Sequence, residues 1–254
     1  MIPKAFELPN KNALVTGSHR GLGRAIAVAL AEAGANVGCH GRAADAGSCC
    51  DEIRAAGRKT FYYSGNLADR KACDGLIQKI LEEFGSIDIL VNNAGLIRRA
   101  AAAEYSMEDW NELIAVDLTA VFRLSQLAGK QMLKQGAGGK IVNIASLLSF
   151  QGGILVPAYA AAKGGVAQLT KALANEWAAK GINVNAIAPG YMATDNTEAL
   201  RNDPARSEQI LQRIPAGRWG KPEDVAGAAV FLCSAASDYV HGHVLAVDGG
   251  WLAR

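Results

Sequence analysis

The chain has 254 residues, half of them hydrophobic, enough to bury the core of one large α/β domain and a better fit to one domain than to two small ones. Its net charge is only +2 and no long basic run appears, which argues against an extended polyanion such as nucleic acid and for a small-molecule partner. The opening MIPKAFELPNKNALVTG lacks the apolar core of a signal peptide, and no apolar run approaches the roughly 18 residues of a membrane span, so a soluble, cytoplasmic protein without a membrane partner is expected.

In chain order, short apolar β-branched runs alternate with runs of helical period. NALVTG precedes GLGRAIAVALAEAG, ANVGCHG precedes AGSCCDEIRAAG, KTFYYSG precedes KACDGLIQKILEEFG, and IDILVNNAG precedes one long helical stretch reaching about residue 135. GKIVNIAS then leads through a glycine-rich loop into a helix predicted over about 159–180, and INVNAIAPG precedes an irregular segment over about 190–220 that reads as a possible substrate lid. PEDVAGAAVFLCS and HVLAVDGG close the pattern. Such alternation specifies a doubly wound parallel sheet with helices on both faces, a single-domain Rossmann fold over 1–254.

In this architecture ligands bind beyond the carboxyl ends of the strands. The first such turn is TGSHRGLG, in which Gly17, Gly21 and Gly23 suit a tight turn, close approach of a pyrophosphate and helix packing. The second, HGR, has Gly41 and Arg42 where an NAD site wants an acid for the ribose hydroxyls, and Arg20 adds a second cation; two guanidinium groups suit the 2′-phosphate of NADP, with NAD the alternative. The five cysteines are an odd set without paired spacing and read as free thiols. Neither Cys39, His40, Cys49 and Cys50 nor the HGH at 241–243 has zinc spacing, so no metal is expected.

Together TGxxxGxG (Thr16 to Gly23), NNAG (Asn92 to Gly95), Ser146, the YxxxK pair Tyr159 and Lys163, and Pro189, Gly190 and Thr194 resemble the short-chain dehydrogenase/reductase family over the full chain. The resemblance implies a catalytic group of Ser146, Tyr159, Lys163 and Asp117. Tyr159 would be the general acid/base, Ser146 would hold the reacting oxygen, and Lys163, at i+4 on the same helical face, would lower the phenol pKa and bind the nicotinamide ribose. Asp117 departs from the family's usual asparagine, and a carboxylate cannot donate that amide's hydrogen bonds. The dinucleotide would be held by Gly17, Ser18, Arg20, Gly21, Leu22 and Gly23 in the first turn and by Arg42, Asn66 and Leu67 at the adenosine end. Asn93, Ala94, Gly95, Tyr159, Lys163, Pro189, Gly190, Met192 and Thr194 would complete that site. Val166, Leu169, Leu173 and Trp177 form an apolar stripe for packing, and the family's usual homotetramer uses this helix and the long one before it.

Further stretches, among them NNAGLIRRA, SLLSFQGG, IPAGRWG and VDGGWLAR, resemble the branch of the family that acts on deoxy- and ketogluconates. A sugar-acid carboxylate calls for a cation, which Arg98 or Arg99 would supply, with Gln151 and Tyr191 toward the substrate hydroxyls beside Ser146 and Tyr159. Arg254 could reach a neighbouring subunit's site. A 3-oxoacyl carrier-protein reductase and a gluconate 5-dehydrogenase share every motif named here, and a non-catalytic dinucleotide sensor is the alternative from another class.

Overall fold

In the computed structural model, which describes residues 3–254, the strands are β1 (Asn12–Val15), β2 (Asn36–Gly41), β3 (Thr60–Ser64), β4 (Ile89–Asn92), β5 (Gly139–Ile144), β6 (Ile182–Pro189) and β7 (Val244–Val247). They form one sheet in the order β3-β2-β1-β4-β5-β6-β7, every neighbouring pair parallel. Helices cover both faces, so β1, β4 and β6 are buried along their whole length and need no polar alternation.

The pleat sorts the side chains. Ala13 and Val15 of β1 pack with α1 (Gly21–Glu32), α2 (Cys49–Ala55) and α9 (Pro222–Cys233). Leu14 points the other way, into the layer of α3 (Arg70–Phe84), α5 (Ala120–Gln135) and α6 (Pro157–Trp177). From β1 the chain winds outward to β3, then returns to β4 on the other side of β1, and this reversal opens a crevice beyond the carboxyl ends of β1 and β4.

Three elements differ from the sequence-based expectation. The long helix before Gln135 is divided: α4 (Met107–Ile114) passes through one wide π turn, Ala115–Thr119, into α5. Such a turn re-aims side chains, and here it carries Asp117. The helix expected from Tyr159 begins two residues earlier, because Pro157 suits the first helical position, and its last turn, Ala178–Lys180, is a tight 3-10 turn. The segment over 190–220 is not irregular: it contains α7 (Glu198–Arg201) and α8 (Pro204–Arg213), the latter capped by the Asp203 carboxylate.

All five cysteines are buried free thiols, with the Cys39 and Cys49 sulfurs 3.6 Å apart. Among the described residues no group of three or more His, Cys, Asp or Glu is arranged to hold a metal ion, and no helix is long and apolar enough to cross a membrane.

Candidate active site

The floor of the crevice is laced across the gap between β1 and β4. The Thr16 hydroxyl accepts hydrogen bonds from the Asn93 and Ala94 amides at 3.0 and 2.9 Å, and the Asn93 side-chain amide donates to the Thr16 and Gly17 carbonyls. Gly17 lies so close to this lacing that a Cβ there would stand 2.9 Å from the Ala94 Cα, and its φ of +64° is one that glycine adopts freely. The turn is tied to β2 by His40, whose Nδ1 accepts from the Gly17 amide at 3.2 Å. Its Nε2 then carries the proton and donates to the Gly65 carbonyl at 3.1 Å. Burial pushes the His40 pKa down to about 4, so the ring stays neutral and keeps both bonds.

At the adenosine end, Gly41 and Arg42 follow β2 as expected, and Arg42 has a single acid within reach, Glu112 at 3.8 Å. Space is tight at Gly41: a Cβ there would meet the Tyr62 hydroxyl and lie 2.9 Å from His19 Nδ1, so those side chains would have to shift. Arg20 lines the same cleft, but its guanidinium is paired at 2.6 Å with Asp195, from the segment after β6, so a clasp crosses the cleft mouth. Asn66 and Leu67 line this end, Asn66 using its side-chain oxygen to accept from the Ala68 amide.

The opposite end is built on α6. Lys163 is the charged residue on the buried face of that helix, and its ammonium donates to the Ile144 carbonyl at 2.9 Å and faces Asp117 Oδ2 at 3.3 Å. Asp117 is fully buried, and its Oδ1 accepts from the Leu96 amide at 2.8 Å. Burial pushes the Asp117 carboxyl up, and this outweighs the ammonium and the amide that favour its anion. Burial alone would push Lys163 down, but Asp117 and Tyr159 together hold it above its usual value. The ammonium stands 5.4 Å from the centre of the Tyr159 ring.

The expected lowering of the Tyr159 pKa is not what results. Burial raises it and Asp117 adds to the rise, while Lys163, a Ser146 hydroxyl contact and Arg99 act the other way without prevailing. Lys163 does favour the phenolate, but its charge is shared with a carboxylate that the sequence reading did not weigh as a counter-ion. Ser146 also accepts from the Leu148 amide at 3.2 Å, which starts the short turn Leu147–Ser149.

Around Tyr159 the two arginines after NNAG separate. Arg98 is engaged by Glu112 at 2.8 Å and Asp109 at 3.3 Å, both on α4. Among the described residues Arg99 donates only to the Asn196 carbonyl, at 3.2 Å, and it is close enough to Tyr159 to favour its anion. Gln151 Oε1 accepts from the Trp251 indole and from Arg213 of α8, and Tyr191 packs against Trp251 and Trp219 with ring centres 4.6 and 5.7 Å away. Arg254 lies along its own chain, where its guanidinium donates to the Gln212 and Arg213 carbonyls at the end of α8, carbonyls that a helix end leaves unpaired.

One cleft therefore gathers Gly17, Arg20, Gly21, Leu22, Gly23, Arg42, Asn66, Leu67, Asn93, Ala94, Gly95, Asp117, Tyr159, Lys163 and Thr194. Others stand apart from its lining. Ser18 is fully buried with its hydroxyl accepting from the His40 amide, and Met192 is buried against Gly220. Gly190 is pressed against the Asp248 backbone after Pro189. The sequence reading missed His19, His40, Leu96, Ile144 and Asp195 in this cleft. The one available signal was His40, a titratable residue inside an apolar strand.

A model of the family described as enoyl-(acyl carrier protein) reductase matches residues 17–252. The chain is 52% identical over 255 residues to a 2-dehydro-3-deoxy-D-gluconate 5-dehydrogenase of Dickeya dadantii (strain 3937), covering 100% of both. A solved structure from Agrobacterium tumefaciens, described as a 2-deoxy-D-gluconate 3-dehydrogenase with bound NADP, superposes with a TM-score of 0.93 at 58% identity over 99% of this chain and 100% of that one. A gluconate 5-dehydrogenase from Burkholderia cenocepacia J2315, in complex with NADP and tartrate, gives a TM-score of 0.94 at 40% identity over 99% of this chain and 98% of that one.

Proposed function

The chain belongs to the short-chain dehydrogenase/reductase family, and we propose that it transfers a hydride between NADP(H) and a carbonyl or secondary alcohol of a keto- or deoxygluconate-type sugar acid. The observation that carries this reading is one cleft with a glycine turn at one end and Tyr159, backed by Lys163, at the other. The cleft suits a dinucleotide, because Gly17 and Gly41 leave open the space that side chains would fill and Arg42 supplies a cation where a 2′-phosphate would lie, with Arg20 beside it paired to Asp195. Gly17, Gly21 and Gly23 would hold the pyrophosphate, Arg42, Asn66 and Leu67 the adenosine end, and Lys163 the nicotinamide ribose.

When bound, the reduced cofactor supplies the hydride. Tyr159 gives its proton to the carbonyl oxygen in reduction and takes the hydroxyl proton in oxidation. Ser146 donates to that same oxygen and fixes its position. Lys163 steadies the phenolate that remains, and Asp117 holds the ammonium in place from behind. Arg99, which makes no ion pair among the described residues, receives the substrate carboxylate, with Gln151 and Tyr191 toward the hydroxyls. The segment carrying α7 and α8 serves as the lid. A homotetramer is supported by α5, whose Phe122 and Leu133 stand 43% and 40% exposed, and a cytoplasmic location by the five free thiols.

The reading is tested by following NADPH and NADH oxidation against keto- and diketo-sugar acids, an uncharged ketone and an acetoacetyl thioester. Turnover of sugar acids with NADPH is expected. Turnover of the thioester alone would move the protein to carrier-protein reduction, and tight cofactor binding without any turnover would make it a sensor.

A further inference from the structure

One side chain at the adenosine end has no part in the scheme above. His19 lies between Ser18 and Arg20 in the glycine turn and lines the cleft. Its Nδ1 is buried and has no hydrogen-bond partner, a state that in a folded protein calls for an explanation. The ring has its seat because residue 41 is glycine: any side chain there would run into Nδ1. The groups facing it are Arg20 from its own turn, Asp195 from the segment after β6, Arg42 and Asp45 from the loop after β2, and the Tyr62 hydroxyl on β3, with His40 behind. Tyr62 is engaged, donating to the Ala43 carbonyl at 3.1 Å, and His40, kept neutral by burial, uses both ring nitrogens in bonds to Gly17 and Gly65.

Around His19 two cations, Arg20 and Arg42, face two carboxylates, Asp195 and Asp45. Arg20 is already paired with Asp195, which leaves Arg42 and the imidazole to meet an incoming anion. Burial and the Arg20 charge, with Arg42 adding to them, hold His19 below its usual pKa, so near pH 7 the ring is largely neutral. A phosphate dianion placed among these groups reverses the local field and favours the imidazolium, which then has a donor for the phosphate on Nδ1.

We propose that His19 reads the 2′-phosphate of NADP(H) beside Arg42, taking up a proton as that phosphate binds and making cofactor choice depend on pH. This rests on the NADP(H) reading above. The preference for NADP(H) over NAD(H) is then greatest near pH 6 and falls as pH rises. Phosphate itself works in the opposite sense, since its second pKa near ~6 makes binding of the dianion release a proton in acid, so the role of His19 is read from the difference between wild type and variant.

Calorimetric titration of the full-length protein with NADP+ and with NAD+ at pH 6, 7 and 8, in buffers of differing ionisation enthalpy, gives both Kd and protons exchanged. Wild type should take up more protons with NADP+ than His19→Gln does, and its NADP+ affinity should fall about tenfold more between pH 6 and pH 8. His19→Gln should bind NADP+ about tenfold more weakly at pH 6 with its NAD+ affinity nearly unchanged, which also shows that the variant is folded. His19→Lys, permanently charged over this range, should restore NADP+ affinity without the pH dependence. Equal proton exchange and an equal NADP+/NAD+ ratio in wild type and His19→Gln would overturn the role of His19 while leaving the NADP(H) reading intact. Wild-type binding of NAD+ as tight as NADP+ at every pH would overturn that reading and this inference with it.

Discussion

The Asp117 carboxylate stands 3.3 Å from the Lys163 ammonium, both buried, so the cation beside Tyr159 works against a counter-ion of its own. Asp117→Asn keeps an acceptor for the Leu96 amide and removes the negative charge that helps Tyr159 retain its proton. In the oxidation direction the phenolate is the active form, so kcat/KM rises with pH through the Tyr159 ionisation. The variant's rising limb should lie at lower pH, with rates up to about tenfold higher well below the wild-type limb. A limb that stays in place, or moves up, would show that the carboxylate does not act on the phenol.

Tyr159→Phe should bind dinucleotide with near wild-type Kd, because Lys163 keeps its bonds to Ile144 and Asp117. Turnover should drop about 10²- to 10⁴-fold through loss of the proton donor. Binding by fluorescence and kcat by absorbance separate the two, and near-normal kcat would exclude Tyr159 as the acid.

Arg98 and Arg99 should behave differently. Arg99→Ala should raise KM for a sugar acid about 10- to 150-fold, the equivalent of about 1.5–3 kcal/mol for a charged hydrogen bond, and leave an uncharged ketone unaffected. Arg98→Ala, which frees Asp109 and Glu112 on α4, should instead lower Tm with little change in KM. Equal KM effects of Arg99→Ala on charged and uncharged substrates would remove Arg99 from carboxylate binding.

Gly41→Asp, the substitution that chemistry alone suggests for turning the site toward NAD, meets the Tyr62 hydroxyl and His19. Alone it should destabilise by roughly 1–3 kcal/mol through overpacking. Combined with Tyr62→Ala, which gives the carboxylate room, the loss should be smaller than the sum of the two single losses, as measured by denaturant titration. Strict additivity would mean that Tyr62 does not occupy the space in question.

His40 is neutral in the folded protein, where burial pushes its pKa down to about 4 from the usual 6.5. The unfolded chain binds more protons between those values, so stability is lost as pH falls from about 6.5 toward 4, by up to about 3 kcal/mol. Measured as Tm against pH, His40→Gln should remove that part of the slope. An unchanged slope would show that His40 protonates as readily in the fold as outside it.

The sheet, the glycine turn and the Tyr159–Lys163 pair were legible in the sequence because each rests on local pattern: strand composition, glycine spacing and the i, i+4 face of a helix. What stayed hidden depends on contacts between distant segments. Asp195 is 175 residues from Arg20, and nothing near either of them announces their ion pair. The π turn that delivers Asp117 has no signature in AVDLT, and the sign of the Tyr159 shift turned on the burial of the phenol itself, to which that carboxylate adds. Arg98 and Arg99 look alike in LIRRA, and only the fold shows α4 presenting two acids to the first.

The Thr16 hydroxyl and the Ala94 amide that it receives are 78 residues apart in the chain. Closing a loop of that length is an entropic cost that precedes any gain from the bonds it allows. The floor of the cleft is thus absent from any state in which β1 and β4 have not yet paired, and a dinucleotide has nothing to grip until the chain has come nearly all the way home. Ligand added to a refolding chain should for that reason leave the speed of folding alone and act on the way back out, lengthening the life of the native state against unfolding.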